Sequence, residues 1–277
     1  MKNFSGGIPM KKIIALDIDG TLYNRDKKIT PKTKASLLQA QEKGCILVLA
    51  SGRPTAGLKP IADELKMDQY HGLLLAYNGG VVTDYTTDRV IYSNTIPNLL
   101  ARRLLRHLEA SPVNPIVDDG TTIYTTDPQS FQVPYESSSN HLNIRQVANV
   151  HDAITFDPAK ILIAANKDTL AIETAYIKEP FQDELSFVLS APFYLEATPF
   201  GVNKADSMEK ACAELGIPAK DVIAFGDAQN DIPMLSFAGT AVAMGNACDA
   251  LKEIADLVTA SNDEDGIAKA LPQLLQE

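Results

Sequence analysis

The segment Ile13-Ile14-Ala15-Leu16-Asp17-Ile18-Asp19-Gly20-Thr21-Leu22 constrains this chain most. A short apolar run leads into two aspartates separated by one residue, then a glycine. Apolar runs of this length read as buried parallel strands. Open α/β sheets bind their ligands beyond the carboxyl ends of such strands. The segment therefore delivers two carboxylates to the place where these folds do chemistry. Taken alone, the same residues also read as a strand ending in an ordinary Asp-Gly turn. The rest of the chain decides between the two.

After the first strand, Thr30-Pro31 opens a helix, with threonine as N-cap and proline at the first helical position. Gly44 closes it. Cys45 to Ala50 predicts a second strand, ending at Ser51-Gly52-Arg53-Pro54. A helical stretch follows to about Met67, interrupted at Pro60. Leu73 to Tyr77 is a third strand, turned by Asn78-Gly79-Gly80 into Val81-Val82. This β-α-β-α-β order predicts a doubly wound, Rossmann-like parallel sheet of the α/β class. The pattern then changes to an amphipathic helix over Leu99–Leu108, a hairpin around Asp119-Gly120, and a polar stretch with Pro134 and three serines. A strand over Ile161–Ala165, a helix over Thr169–Lys178 and strand segments within Phe187–Leu195 follow. Such alternation predicts an α+β module with an antiparallel sheet. The first pattern returns near Asn203, with a helix to Leu215 and a strand over Val222–Phe225 that runs into Gly226-Asp227-Ala228-Gln229-Asn230-Asp231. The expected organisation is a core of residues 10–83 and 197–277, with residues 84–196 inserted as a cap.

The 277 residues suffice for a full hydrophobic core and approach the size at which chains divide into domains. A formal charge of −10 does not suit a surface that neutralises nucleic-acid phosphates. No apolar stretch reaches the roughly 18 residues of a transmembrane helix. The segment Met1–Met10 lacks the long apolar core of a secretory signal. It reads as a short extension ahead of a natural start at Met10. Cys45, Cys212 and Cys248 lie far apart in apolar surroundings, as free thiols do in a reducing cytoplasm. The expected assembly is a monomer or small homo-oligomer.

Four loops carry the chemistry-bearing residues: Asp17 and Asp19; Ser51 and Arg53; Asn203 and Lys204; Asp227, Asn230 and Asp231. Each is weak alone. Ser51 and Asp231 also read as helix caps, and Lys204 as a solvated surface charge. Three of the loops end apolar strands, so one sheet edge would gather them. Several aspartates at one edge cannot all stay ionised without compensation. A divalent cation supplies it, and oxygen-only ligands suit Mg²⁺ rather than zinc. A lysine, a hydroxyl and backbone amides can then hold phosphoryl oxygens. An aspartate left over from charge balance can attack phosphorus. His71, His107, His141 and His151 have no ligand-like spacing.

On these residues the chain resembles the haloacid dehalogenase-like phosphatases, and more narrowly their Cof-type subfamily. The matching stretches are DIDGTL from Asp17, ASGR from Ala50, GVNK ending at Lys204 and FGDAQNDIPML from Phe225. VAMGNA from Val242 and SNDEDGIAKAL from Ser261 are similar as well. The resemblance runs from Met10 through nearly the whole chain, the inserted cap included. It implies that Asp17 is the nucleophile and a Mg²⁺ ligand. It makes Asp19 a metal ligand through its carbonyl and a general acid, then base, through its side chain. Ser51 and Lys204 would bind the phosphoryl group, with Gly20 and Thr21 shaping a loop whose amides face the phosphoryl oxygens. Asp227 would be the third protein ligand of the metal. Asp231 and Asn230 would support the lysine and metal-bound water, with Asn203 and Arg53 as further supporting residues. Ala205 departs from the glycine that often follows the lysine in this subfamily.

The expected function is Mg²⁺-dependent hydrolysis of a small phosphorylated metabolite, a sugar phosphate by preference, through an aspartyl phosphate. The alternatives are a phosphomutase on the same scaffold and a non-catalytic phospholigand sensor. A sensor has no need of a nucleophile, and no feature of the cap marks a mutase. Asp118, Tyr135, Tyr194 and Glu196 are the cap residues available for substrate contact, though each also reads as structural or exposed.

Overall fold

The computed structural model describes residues 11–275. The reading of Met1–Met10 lies outside the described residues. In chain order, the first segment carries β1 (Ile13–Leu16), α1 (Pro31–Glu42), β2 (Ile46–Ala50), α2 (Thr55–Glu64), β3 (Leu73–Ala76), β4 (Val81–Asp84) and β5 (Arg89–Ser93). The middle carries α3 (Asn98–Leu108), β6 (Asn114–Asp118), β7 (Thr122–Thr125), α4 (Val133–Asn140), β8 (Asn143–Gln146), α5 (Val150–Ala153), β9 (Ile161–Ala164), α6 (Lys167–Lys178), β10 (Ser186–Ala191) and β11 (Tyr194–Thr198). The last segment carries α7 (Lys204–Leu215), β12 (Val222–Gly226), α8 (Ile232–Phe237), β13 (Thr240–Ala243), α9 (Asp249–Ile254), β14 (Leu257–Val258) and α10 (Gly266–Leu274).

The chain forms two compact units. One holds the residues up to Gly52, Lys59–Ile91 and those from Asn203 onward; the other holds Arg53–Leu58 and Tyr92–Val202. The first is built on an eight-stranded sheet of order β14-β13-β12-β1-β2-β3-β4-β5. Its six strands from β14 to β3 run parallel, and β4 turns back antiparallel to β3. Every residue of β1 is fully buried, which is what the uninterrupted Ile-Ile-Ala-Leu run requires of a central parallel strand. β5 extends this sheet past residue 84, where the insertion was expected to begin.

Helix termini follow their sequence signals. The Thr30 hydroxyl accepts the Thr33 amide at 3.2 Å, and Pro31 occupies the first turn of α1. Asn203 Oδ1 accepts the amides of Ala205 and Asp206 at 2.8 and 3.0 Å and so starts α7; Gly216, at φ +64°, ends it. Pro60 does not interrupt α2, which continues around it from Thr55 to Glu64. A proline removes one backbone donor, and the helix tolerates that loss here because Leu58, Ile61 and Ala62 bury its apolar side.

The second unit is α+β, with a six-stranded sheet of order β10-β11-β9-β6-β7-β8. Its pairings are antiparallel except for β7 with β8, which is parallel, so the sheet is mixed rather than purely antiparallel. α3 presents Ala101, Leu104, Leu105 and Leu108 to a core that also takes in Val117, Ile161, Ile163 and Leu195. The polar stretch around Pro134 folds as α4.

Among the described residues no helix is long and apolar enough to cross a membrane.

The turn between β3 and β4 abuts the start of α7. Gly79 has φ +102°, and a methyl built on it would lie 2.3 Å from the Asn203 carbonyl oxygen. Gly79→Ala therefore combines a left-handed backbone with a backbone clash. It is expected to lower the unfolding free energy by at least about 2 kcal/mol in urea titrations. An unchanged midpoint would show that the approach is not tight.

Candidate active site

β12, β1 and β2 are neighbours in the sheet, with Leu16 in register with both Phe225 and Leu49. Their carboxyl ends therefore lie side by side. Asp17 follows β1, Ser51 follows β2, and Asp227 follows β12. The Asp17 amide still donates to Phe225 O at 3.1 Å, which fixes its backbone as one more step of the ladder. Ser51 is held likewise: its amide donates to Leu75 O at 2.9 Å, and its carbonyl accepts the Asn78 amide at 2.8 Å.

Lys204 stands at the centre. It is fully buried, and its Nζ donates to Asp17 Oδ1 at 2.6 Å and to Asp231 Oδ1 at 2.7 Å. Lysine is rarely buried without a charged partner; here it has two. Asp231, also fully buried, uses its other oxygen to accept the amides of Asp227 and Ala228, both at 3.0 Å. It is not a side-chain cap of α8. Its role in the fold is to tie the loop after β12 to the lysine.

Asp227 accepts the Thr21 hydroxyl at 2.7 Å. The Thr21 amide is directed to Ile18 O at 3.4 Å, so Thr21 serves the protein's own loop rather than presenting its amide outward. Gly20, at φ +92°, packs so closely that a methyl there would lie 2.3 Å from Asp227 Oδ2. Asn230 reaches Asn78 Oδ1 at 3.2 Å, which links the loop after β12 to the turn beside Ser51. Asn78 and the preceding Tyr77 both adopt left-handed backbone (φ 56° and 53°), strain of the kind that collects at functional sites.

The remaining sequence candidates lie apart from this cluster or beside it. The Asp19 side chain is 41% exposed and accepts Lys27 Nζ at 2.7 Å. Arg53 Nη1 donates to Ser139 O at 3.4 Å, both within the second unit. There too, the Tyr194 hydroxyl donates to Glu136 Oε1 at 2.6 Å, Lys160 pairs with Glu196 at 3.3 Å, Asp118 accepts the Gly120 amide at 2.8 Å, and Tyr135 is exposed. Sequence reasoning passed over Asn78, seen only as part of a turn, and Lys27, for which no local signal exists.

Charge in the buried cluster is unevenly balanced. Burial pushes the Asp17 carboxyl up to about 7, against the Lys204 ammonium that pulls it down; Asp231 and Asp227 add to the rise. Burial also raises Asp227 above the usual carboxylate range, opposed by the Thr21 hydrogen bond. Burial opposes the Lys204 charge, yet Asp17 and Asp231 together outweigh it and hold the ammonium above its ordinary value. Three carboxyl groups thus share one buried ammonium. Oxygens of Asp17, Asp227 and Asp231 come within 4.8 Å of one another. Crowded, desolvated, oxygen-only donors fit Mg²⁺.

A sequence profile of the haloacid dehalogenase-like hydrolases matches residues 14–271. The chain belongs to this family. A crystal structure of a haloacid dehalogenase-like hydrolase from Bacteroides thetaiotaomicron superposes with a TM-score of 0.91 at 36% identity, covering 95% of this chain and 99% of that one. The Bacillus subtilis 5-amino-6-(5-phospho-D-ribitylamino)uracil phosphatase YcsE is 30% identical over 263 residues, 94% of each chain. A sugar phosphatase of subclass IIB of the superfamily superposes with a TM-score of 0.76 at 26% identity, covering 95% of this chain and 99% of that one. The haloacid dehalogenase-like fold explains the sheet order and the inserted α+β unit together.

Lys204→Met would strand two buried carboxylates. Breaking a buried ion pair by removing one partner costs about 3–5 kcal/mol, and a loss of that size is expected in chemical unfolding of the metal-free protein. A loss below about 1 kcal/mol, the range of exposed pairs, would mean that Lys204 does not compensate the cluster.

Proposed function

We propose that this hydrolase is a Mg²⁺-dependent phosphomonoesterase acting on a small phosphorylated metabolite through an aspartyl phosphate at Asp17. The observation that carries the reading is Asp17 itself: a buried carboxylate at the end of a central strand, aligned by Lys204 and beside a second acidic loop. Asp17 and Asp227 would hold the metal with their side chains and Asp19 with its carbonyl. When bound, the metal would compensate the ionised carboxylates beside Lys204 and polarise the phosphoryl group.

The chain's own residues account for the rest. Ser51 and Lys204 hold the phosphoryl oxygens, and Gly20 lets its loop pack against Asp227. An Asp17 oxygen attacks phosphorus as the bond to the leaving oxygen breaks. Asp19 gives its proton to that oxygen. Asp19, now a base, takes a proton from the water that attacks phosphorus. Phosphate leaves and the Asp17 carboxylate is restored. Asp231 and Asn230 brace the lysine and the loop after β12.

Asp118, Tyr135, Tyr194 and Glu196 are the candidates in the second unit for selecting the leaving group. A phosphorylated sugar or polyol is the proposed substrate class, supported by the similarity to a sugar phosphatase and to a ribityl-phosphate phosphatase. Free Cys45, Cys212 and Cys248 are consistent with a cytoplasmic enzyme.

Phosphate release from 4-nitrophenyl phosphate should vanish in a strong chelator and return with Mg²⁺. Ca²⁺ should not replace Mg²⁺, because it prefers more ligands at longer distances. Asp17→Asn should remove turnover while the fold survives. Full activity in chelator, or turnover within a few-fold of wild type in Asp17→Asn, would sink the proposal.

A further inference from the structure

Residues 19–28 leave the acidic cluster and fold back toward it, and side chains near the C-terminal end of the first unit grip them. Asn246 Nδ2 donates to Gly20 O at 2.8 Å, while its Oδ1 accepts the Asn262 amide at 3.0 Å. Asn262 Nδ2 donates to Tyr23 O at 2.8 Å. Asp263 accepts the Arg25 amide on one oxygen and the Arg25 guanidinium on the other, all at 2.9 Å. At the tip, Asn24 Oδ1 accepts the amides of Asp26 and Lys28 at 3.1 and 3.0 Å. The same turn holds Lys27 in a left-handed conformation, φ 57°, with its ammonium on Asp19 Oδ1 at 2.7 Å.

We infer that this arrangement is a positioning clamp for Asp19: Asn246, Asn262 and Asp263 fix the segment, and Lys27 fixes the carboxyl group by donating to Oδ1, with Oδ2 the oxygen that carries the proton. The inference rests on the proposed reading of Asp19 as proton donor. The Asp19 side chain is 41% exposed, against 9% for Asp17, so packing constrains its rotamer far less. A donor must nevertheless sit within hydrogen-bond reach of the leaving oxygen. Misplacement by about 1 Å can cost about 10²-fold in rate. Folding gains little from the contact, because an exposed ion pair contributes about 0–1 kcal/mol. Its value is geometric. The asparagines are specific as well: Asn246 must donate and accept with one side chain, which an aspartate cannot do. The clamp also gives a purpose to the two late stretches, Val242–Ala247 and Ser261–Leu271, that the proposed chemistry leaves unused.

The test is a series of aryl phosphates of graded leaving-group acidity, from 4-nitrophenyl to 4-methoxyphenyl phosphate, with Asp19→Ala as reference. Loss of a proton donor slows poor leaving groups more than good ones. Lys27→Met should steepen the dependence of kcat/KM, which reports the step that breaks the bond to the leaving oxygen, on leaving-group acidity in the same sense as Asp19→Ala. About a tenfold loss in kcat/KM is expected on the poorest leaving group, and Lys27→Arg should restore most of it. Asn246→Asp and Asn262→Asp, isosteric changes, should steepen the dependence too and speed amide hydrogen exchange across residues 20–28 relative to the strands. A loss uniform across the series, or none, while Asp19→Ala still steepens it, would overturn the clamp and leave the proposed function standing. An unchanged dependence in Asp19→Ala would remove the reading of Asp19, and the clamp with it.

Discussion

The arrangement depends on one buried contact, the Lys204 ammonium between Asp17 and Asp231. It joins three stretches far apart in sequence: the end of β1, the start of α7 and the loop after β12. Each of those charges would be costly alone in the interior. Together they define one geometry, because the lysine starts a helix whose N-cap, Asn203, is fixed by its own hydrogen bonds. The lysine reaches the cluster from the first turn of α7, so the fold itself holds the Asp17 carboxyl in place. Preorganisation of this kind is what electrostatic catalysis requires.

Around that contact, two sides of one loop are held by different parts of the chain. Asp227 takes the Thr21 hydroxyl and leaves no room for a side chain at Gly20. Asn246 takes the Gly20 carbonyl from another direction. Gly20 and Thr21, the residues that follow Asp19, are thus fixed by the loop after β12 and by the C-terminal stretch. This division matches the chemistry proposed for it: a buried, rigid carboxylate at Asp17 and a more exposed one at Asp19 that exchanges a proton.

Much of this was legible in the sequence because strand ends are marked twice, by an apolar run and by the polar residue that stops it. Asp17, Ser51 and Asp227 were found in that way, whereas Asn203 entered only as the neighbour of Lys204 in its loop, and its capping role is seen in the structure. What the sequence did not disclose is which polar group meets which. Asp231 read equally well as a helix cap, and only the fold directs its oxygens to Lys204 and to the amides of Asp227 and Ala228. Lys27 meets Asp19 through a left-handed turn residue, for which lysine carries no signal. In the second unit, α3 was legible from its apolar stripe. α4 was not, because three serines and a weak apolar pattern carry little helical preference. β8 is exposed along its whole length, so no alternation marks it.

The central claim is that Asp17 carries the phosphoryl group between attack and hydrolysis. The most direct measurement is acid quench of the Mg²⁺-loaded enzyme during turnover of an aryl phosphate, followed by proteolysis and mass spectrometry. The expected result is a peptide containing Asp17 heavier by one phosphoryl group, absent from Asp17→Asn and lost on treatment with hydroxylamine. Phosphate released at full rate, with no phosphorylated Asp17 peptide at any quench time and none in Asp19→Ala, where hydrolysis should be slowed, would contradict it.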